Sequence, residues 1–276
     1  MPELPEVQSV VTGLNKILPN KTIKSVEVFW QKTIATPAVE TFQKKLTGLK
    51  IKEVARRAKF IVMTFESGEI LLTHLRMSGQ FSWHQELPSE NAKHLRVRFL
   101  FTDNSVLDFM DTRKFARMYL FQNLKEAEEK ALYKLGAEPL EIKALEFREI
   151  FRAKKGNIKG NLLRQDLVSG VGNIYADESL FLAKIHPTSL THKIPKAKFT
   201  ELHQVLQGIL RKAIKRNGTT VNTFLNINGE AGGFRDELQV YKQEKAACPN
   251  CGNLIQKIRL GSRGTHFCAT CQKKYL

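Results

Sequence analysis

The 276-residue sequence predicts an α+β protein of more than one domain, and three observations carry that reading. Strand-like alternation is confined to the first half, apolar stripes at helical spacing dominate the second, and all four cysteines fall in the last 29 residues as two Cys-x-x-Cys pairs. With 42% hydrophobic residues the chain can bury a sizeable core, and its length suits two modest domains.

Met1-Pro2-Glu3-Leu4-Pro5-Glu6 opens the chain, so removal of Met1 would leave the secondary amine of Pro2 with the Glu3 carboxylate beside it. An α-amino group titrates near pH 8, so roughly a tenth of it is neutral and nucleophilic at pH 7, far more than of a lysine. A proline amine that condenses with an aldehyde carbon gives an iminium, which keeps its charge without a proton and acts as an electron sink. Taken alone, the same residues are also consistent with a stiff, solvated leader. Val7, Val10, Val11, Leu14 and Leu18 then share one face of a helix predicted over 6–18, which tethers the terminus. Strands are predicted at 59–65, 69–75, 95–101 and 105–111. Leu95, Val97, Phe99 and Phe101 alternate with His94, Arg96 and Arg98, the pattern of a sheet with one wet face. From Asn123 to Lys134 the chain reads as helical and charged, and Gly136-Ala137-Glu138-Pro139 as a stop and linker, which sets a boundary near 130–140.

In the second half, Phe199, Leu202, Leu206, Ile209, Leu210, Ala213 and Ile214 form an apolar helical stripe. Ser169-Gly170-Val171-Gly172-Asn173-Ile174-Tyr175 interrupts the helical pattern. Two glycines before a helix N-terminus make a turn whose backbone N–H groups can grip phosphate, with Asn173 adding a donor, or simply a helix–turn–helix corner. Cys248, Cys251, Cys268 and Cys271 close the chain with sixteen residues between the pairs, a spacing that suits a hairpin placing four thiolates on one structural Zn²⁺. The absence of cysteine elsewhere argues against disulfides. A basic turn at the hairpin tip, carrying Arg263, could reach a phosphate.

Forty-four Lys and Arg against 27 Asp and Glu give a formal charge of +17, which favours a polyanionic partner, nucleic acid first and an anionic membrane or acidic protein after it. No apolar run approaches the roughly 18 residues that span a bilayer, and the acidic start is not a secretory signal. A soluble, cytoplasmic protein is expected.

Several of these features stand together in one order, and the chain resembles the formamidopyrimidine-DNA glycosylase (Fpg/Nei) family over essentially its whole length. The resemblance rests on Pro2-Glu3-Leu4-Pro5-Glu6-Val7, Arg56-Arg57-Ala58-Lys59-Phe60, Thr73-His74-Leu75-Arg76-Met77-Ser78-Gly79, Asp111-Thr112-Arg113-Lys114-Phe115, Gly170-Val171-Gly172-Asn173-Ile174-Tyr175, Glu237-Leu238-Gln239-Val240-Tyr241 and Arg263-Gly264-Thr265-His266-Phe267-Cys268. It implies an N-terminal β-sandwich with flanking helices (1–134), a helix–two-turn–helix domain (135–238) and a C-terminal zinc-finger β-hairpin (239–276), with damaged double-stranded DNA bound between the halves. A bacterial-type monomer, nucleoid-associated through DNA, goes with it. The Pro-Glu-Leu-Pro-Glu opening favours the Fpg branch, whose substrates are oxidised purines.

Carried over by position, the resemblance makes Pro2 the nucleophile at C1′ of a damaged nucleotide and Glu3 the acid/base that helps open the sugar. Lys59 matches the residue of β-elimination and Arg263 that of δ-elimination. His74, Asn173, Tyr241 and Arg263 match phosphate contacts, with His94, Arg113, Lys155 and Lys159 as further DNA contacts. A lesion must leave the stack to be reached, and Met77, Arg113 and Phe115 match the wedge that fills the space. The chain departs from the family pattern at Asn222, where a lysine is familiar in the loop over the extruded base, and at Arg164, Ala116 and Ser262. A preference for oxidised pyrimidines, or a DNA-binding protein that has lost catalysis, are the alternatives.

Overall fold

Alternation in the first half and helical stripes in the second resolve, in a computed structural model, into two compact units, residues 1–133 with 216–233 and residues 134–215 with 234–276. The structure is described for residues 1–220, 225, 227 and 229–276.

In the first unit, helix α1 (Leu4–Ile17) buries Val7, Val10, Val11 and Leu14. It starts at Leu4 rather than the expected position 6, because Pro5 fits the first turn and Glu6 caps it: the Glu3 N–H donates to Glu6 Oε2 at 2.8 Å. There follow β1 (Ile23–Val28), β2 (Ile34–Thr36), α2 (Val39–Leu46), β3 (Ile51–Arg57), β4 (Phe60–Phe65), β5 (Ile70–His74), β6 (Gly79–His84), β7 (Leu95–Phe101), β8 (Val106–Asp111), β9 (Arg117–Phe121) and the short α3 (Leu124–Ala127). One sheet runs β1-β7-β8-β6 and the other β2-β9-β5-β4-β3, the β2–β9 pair being parallel. Val97, Phe99 and Phe109 from the first sheet and Ile61, Met63 and Leu71 from the second share one core with α1 and α2, a β-sandwich flanked by helices. Each such buried side chain contributes about 1.5–3 kcal/mol relative to exposure.

The wet face expected of β7 is not fully wet. Arg98 is buried and forks onto the buried Asp108, Nε to Oδ1 at 2.7 Å and Nη2 to Oδ2 at 2.8 Å, and donates to Asn91 Oδ1 at 2.8 Å. Alternation reports which face a residue takes, not what covers that face.

In the second unit lie α4 (Ala144–Arg152), α5 (Ile158–Leu162), α6 (Asn173–Leu182), the 20-residue α7 (Lys196–Lys215), β10 (Gln256–Leu260) and β11 (Arg263–Phe267). Helix α7 buries the predicted stripe through Phe199, Leu202, Leu206, Ile209, Leu210 and Ala213. The stretch read as a stop and linker packs instead: the Gly136 N–H donates to Gln165 O at 2.8 Å, and a Cβ there would lie 2.3 Å from Leu167 O.

Candidate functional site

At the head of the first unit Pro2 and Glu3 are buried although Met1 is exposed, so the terminus is packed rather than frayed. Glu6, also buried, holds two backbones at once: its Oε2 accepts from Glu3 N and its Oε1 from Thr219 N, each at 2.8 Å. Gly218 before it lies at φ +82°, and a Cβ there would press on Glu6 Cγ at 3.0 Å, so glycine both permits the turn and admits the carboxylate. Lys59 sits buried in the β3–β4 turn, where Arg56 braces Ala58 O at 3.0 Å and Gln8 of α1 at 2.9 Å. The adjoining His74 is neutral: burial, then Arg76 and Lys59, push it down to about 3. Its Nδ1 accepts from Arg76 N at 3.0 Å, which leaves Nε2–H as the donor.

The three expected wedge residues are exposed, Met77 at 41% and Phe115 at 50%, with the Arg113 guanidinium 5.1 Å from the Phe115 ring centroid. Asp111, buried, joins their loops: Oδ1 accepts from Ser78 Oγ and, at 3.1 Å, from Arg113 N, while Oδ2 accepts from Ala116 N at 2.8 Å. Ala116, unusual in the motif, is buried in the core. His94, half-buried at φ +69°, accepts on its carbonyl from Asp111 N at 3.1 Å.

In the second unit the candidates converge on α6, which Gly170 introduces at φ +84°. Asn173, its first residue, donates from Nδ2 to Gly264 O at 3.0 Å, next to Arg263, which is exposed at the first position of β11. The turn between β10 and β11 is the two-residue Gly261-Ser262. Lys155 is exposed.

Lys159 corrects the expectation that it contacts DNA. It is 1% exposed, and its ammonium meets Asp177 Oδ1 at 2.6 Å, Thr265 Oγ1 at 2.8 Å and Gly264 O at 3.1 Å, which uses its three donors inside the fold. It holds the strand that carries Arg263. Asp177 is the centre of this cluster, accepting also from His266 N at 3.0 Å. Its neighbour Glu178, buried and pushed up by that burial against the pull of three donors, accepts from Gln239, Val240 and Tyr241 N–H at 3.0, 2.9 and 2.7 Å. The Tyr241 ring packs edge-on against His266 at 5.2 Å. Sequence reasoning missed Asp177 and Glu178; the signal was two adjacent acids in an otherwise apolar, buried helix. Asp177→Ala is expected to destabilise the second unit by about 3–5 kcal/mol, because it strands a buried ammonium, and adding Lys159→Met should recover most of that. Urea unfolding of both variants checks it, and a single-variant loss below about 1 kcal/mol would refute it.

The four cysteine Sγ atoms all lie within 4.8 Å of one another, Cys248 to Cys271 at 3.8 Å and Cys251 to Cys268 at 3.5 Å. Thiolates 2.3 Å from a tetrahedral Zn²⁺ stand about 3.8 Å apart, so the residues fit one structural zinc, and all four are free thiols. Burial and the neighbouring thiols push Cys271 up to about 12, a crowding that a dication relieves.

Buried Pro2 and Glu3 at the head of a β-sandwich, a glycine turn opening α6 and a four-cysteine hairpin that fits one zinc follow one another along the chain. Family models agree along the chain: the formamidopyrimidine-DNA glycosylase N-terminal domain over residues 1–118, its H2TH domain over 135–225, and the zinc finger found in FPG and IleRS over 247–274. A formamidopyrimidine-DNA glycosylase of Enterococcus faecalis is 40% identical over 275 residues, 99% of this chain and 98% of that protein. Two structures of Lactococcus lactis Fpg each cover 99% of this chain and 100% of theirs. One, with DNA containing N7-benzyl-Fapy-dG, has TM-score 0.92 at 37% identity; the other, with DNA containing an oxidised pyrimidine, 0.91 at 36%. The chain belongs to the formamidopyrimidine-DNA glycosylase family. Among the described residues no helix is long and apolar enough to cross a membrane.

Proposed function

We propose that this DNA glycosylase of base-excision repair removes oxidised purines through Pro2 and then nicks the strand as an AP lyase. Buried Pro2 and Glu3, with Glu6 fixing the backbone of Glu3, are the observation that carries the reading. With Met1 removed, the Pro2 lone pair forms a bond to C1′, the C1′–N glycosidic bond breaks and the base departs with its electron pair. The attack leaves the Pro2 nitrogen protonated; the Glu3 carboxylate takes that proton and delivers it to the ring oxygen, the sugar opens, and the recovered lone pair turns the new bond between the Pro2 nitrogen and C1′ into an iminium. The iminium acidifies C2′; loss of that proton expels the 3′ phosphate, and a second elimination expels the 5′ phosphate. Lys59 serves the first elimination and Arg263 the second, each as a cation that stabilises a departing phosphate. His74, through Nε2–H, contacts phosphate with Asn173, Tyr241, His94, Lys155 and Arg263, while Met77, Arg113 and Phe115 fill the vacated stack. Residues 1–134 are assigned to catalysis, 135–238 and the hairpin 239–276 to DNA binding, in a monomer acting on damaged duplex DNA in the cytoplasm.

Borohydride reduction on a duplex with 8-oxoguanine opposite cytosine tests this: a covalent adduct is expected, and no adduct there, at an abasic site or at other oxidised bases refutes it. Arg263→Ala should weaken duplex binding and lower the slope of log affinity against log salt by about 1; an unchanged slope removes Arg263 from the phosphate contacts. Asn222 in place of a lysine favours a second reading, a preference for oxidised pyrimidines, which the same assay over a lesion panel separates. Asn222 lies outside the described residues. Arg164, the other departure that bears on lesion choice, pairs with Asp166 at 2.6 Å on an exposed surface.

A further inference from the structure

Four strand ends meet along one edge of the β1-β7-β8-β6 sheet. Register places Val28 beside Val97, Leu95 beside Met110, and Gly79 beside Asp111, so the end of β1, the start of β7, the end of β8 and the start of β6 lie side by side. Three of these ends carry residues with proposed roles: Met77 before β6, Arg113 and Phe115 after β8, and His94 before β7. The fourth carries Phe29 and Trp30, which have none. Phe29 is 43% exposed, between Met77 and Phe115 in that respect, and both Phe29 and Trp30 donate their N–H to Arg96 O, at 2.9 and 3.3 Å. Arg96 in turn donates through Nε to Asp111 O at 2.8 Å, so this corner is rigidly joined to the wedge loops.

Lys114 makes the connection directly. It lies between Arg113 and Phe115 at φ +61°, a left-handed conformation that lysine rarely adopts, and its ammonium stands 4.0 Å from the centroid of the Trp30 ring. The loop thus stacks Arg113 on Phe115 and turns Lys114 to the neighbouring strand end. Four strands at about 4.8 Å spacing make this edge about 14 Å wide, which matches about four nucleotide steps of 3.4 Å.

We infer that Phe29 and Lys114, with Trp30 positioning the lysine, form a further duplex-contact surface that engages the strand opposite the lesion. Phe29 offers an aromatic face to a sugar or base, and Lys114 a charge to a phosphate, on a protein of formal charge +17. The direction follows from continuity: the surface adjoins Arg113 and Phe115, which face the orphaned base. The assignment rests on the wedge reading given above.

Fluorescence anisotropy separates the two. The probes are a duplex with a tetrahydrofuran abasic analogue and the tetrahydrofuran strand alone. Phe29→Ser and Lys114→Gly, the latter relieving the positive φ, should each weaken duplex binding about tenfold and leave single-strand binding within about twofold. Trp30→Phe should match the parent, because it keeps a ring under the ammonium, whereas Trp30→Ser should reproduce the Lys114→Gly loss. Equal losses on both probes, or none on the duplex, overturn the inference. Phe115→Ala reports on the wedge: if it loses duplex preference while Phe29→Ser and Lys114→Gly do not, the inference falls and the wedge stands, and if Phe115→Ala is also silent, the wedge reading falls.

Discussion

Pro2→Gly is expected to yield no borohydride-trapped adduct and to lower base excision at least about a thousandfold, while binding to an uncleavable abasic duplex stays within about threefold. Glycine leaves a primary amine, but one without the ring that fills the buried site and holds the nitrogen lone pair in one direction. It also gives an imine that must be protonated before it withdraws electrons, where proline gives a permanent iminium. Glu6 grips the backbone of Glu3 and of Thr219, not the Pro2 side chain, so those contacts survive the loss of the pyrrolidine. The same logic applies to Met1, whose retention converts the Pro2 nitrogen into an amide with no nucleophilic lone pair. Mass spectrometry of the intact protein should find active preparations lacking Met1. A fully active preparation that keeps Met1, or equal loss of binding and excision in Pro2→Gly, assigns Pro2 to the fold instead.

How far the site could be read from the sequence depended on whether a residue's role is local. The four cysteines announced themselves by spacing alone, because a tetrahedral ion dictates the ligand geometry. Helix α7 was legible from its stripe, and β4, β5, β7 and β8 from alternation or apolar runs. Strands β1, β2, β3, β6 and β9 were not, since Ile51–Arg57 reads as charged and Ile34–Thr36 is three residues long; both are strands because of what they pair with. Lys159 shows the same limit in the site. A lysine in a basic protein reads as a phosphate contact, and only the fold reveals that Asp177, 18 positions away, takes its charge. The expected helix through Lys134 is helical from Leu124 to Leu132, α-helical over Leu124–Ala127, where Asn123 Oδ1 caps it at 2.9 Å from Glu126 N, and wider-wound over Glu128–Leu132. Arg98 was misread for a related reason, because its partner Asp108 faces it across a sheet register that no local pattern encodes.

Removal of zinc by a chelator is expected to abolish specific DNA binding while the first unit stays folded. The hairpin has little of its own to hold it: Cys248, Cys268, Phe181, Val240 and Ile255 make up its small buried cluster, two of them metal ligands. Structural Zn²⁺ contributes on the order of 10 kcal/mol to folding of such units, far more than this cluster can. Losing the hairpin displaces Arg263 and also disarms α6, since Asn173 loses Gly264 O, Lys159 loses Gly264 O and Thr265 Oγ1, and Asp177 loses His266. A Lys159–Asp177 pair left without those partners opens to water, so the damage extends from the finger to the residues proposed to hold phosphate. The β-sandwich core shares none of these contacts. Circular dichroism should therefore retain most of its strand signal while anisotropy shows affinity for the tetrahydrofuran duplex falling to the non-specific level. Added Zn²⁺ should restore binding, and Cys268→Ser, at the most buried ligand, should not be rescued. Zinc-free protein, verified by metal analysis, that binds this duplex with undiminished affinity would show that the hairpin folds without its ion.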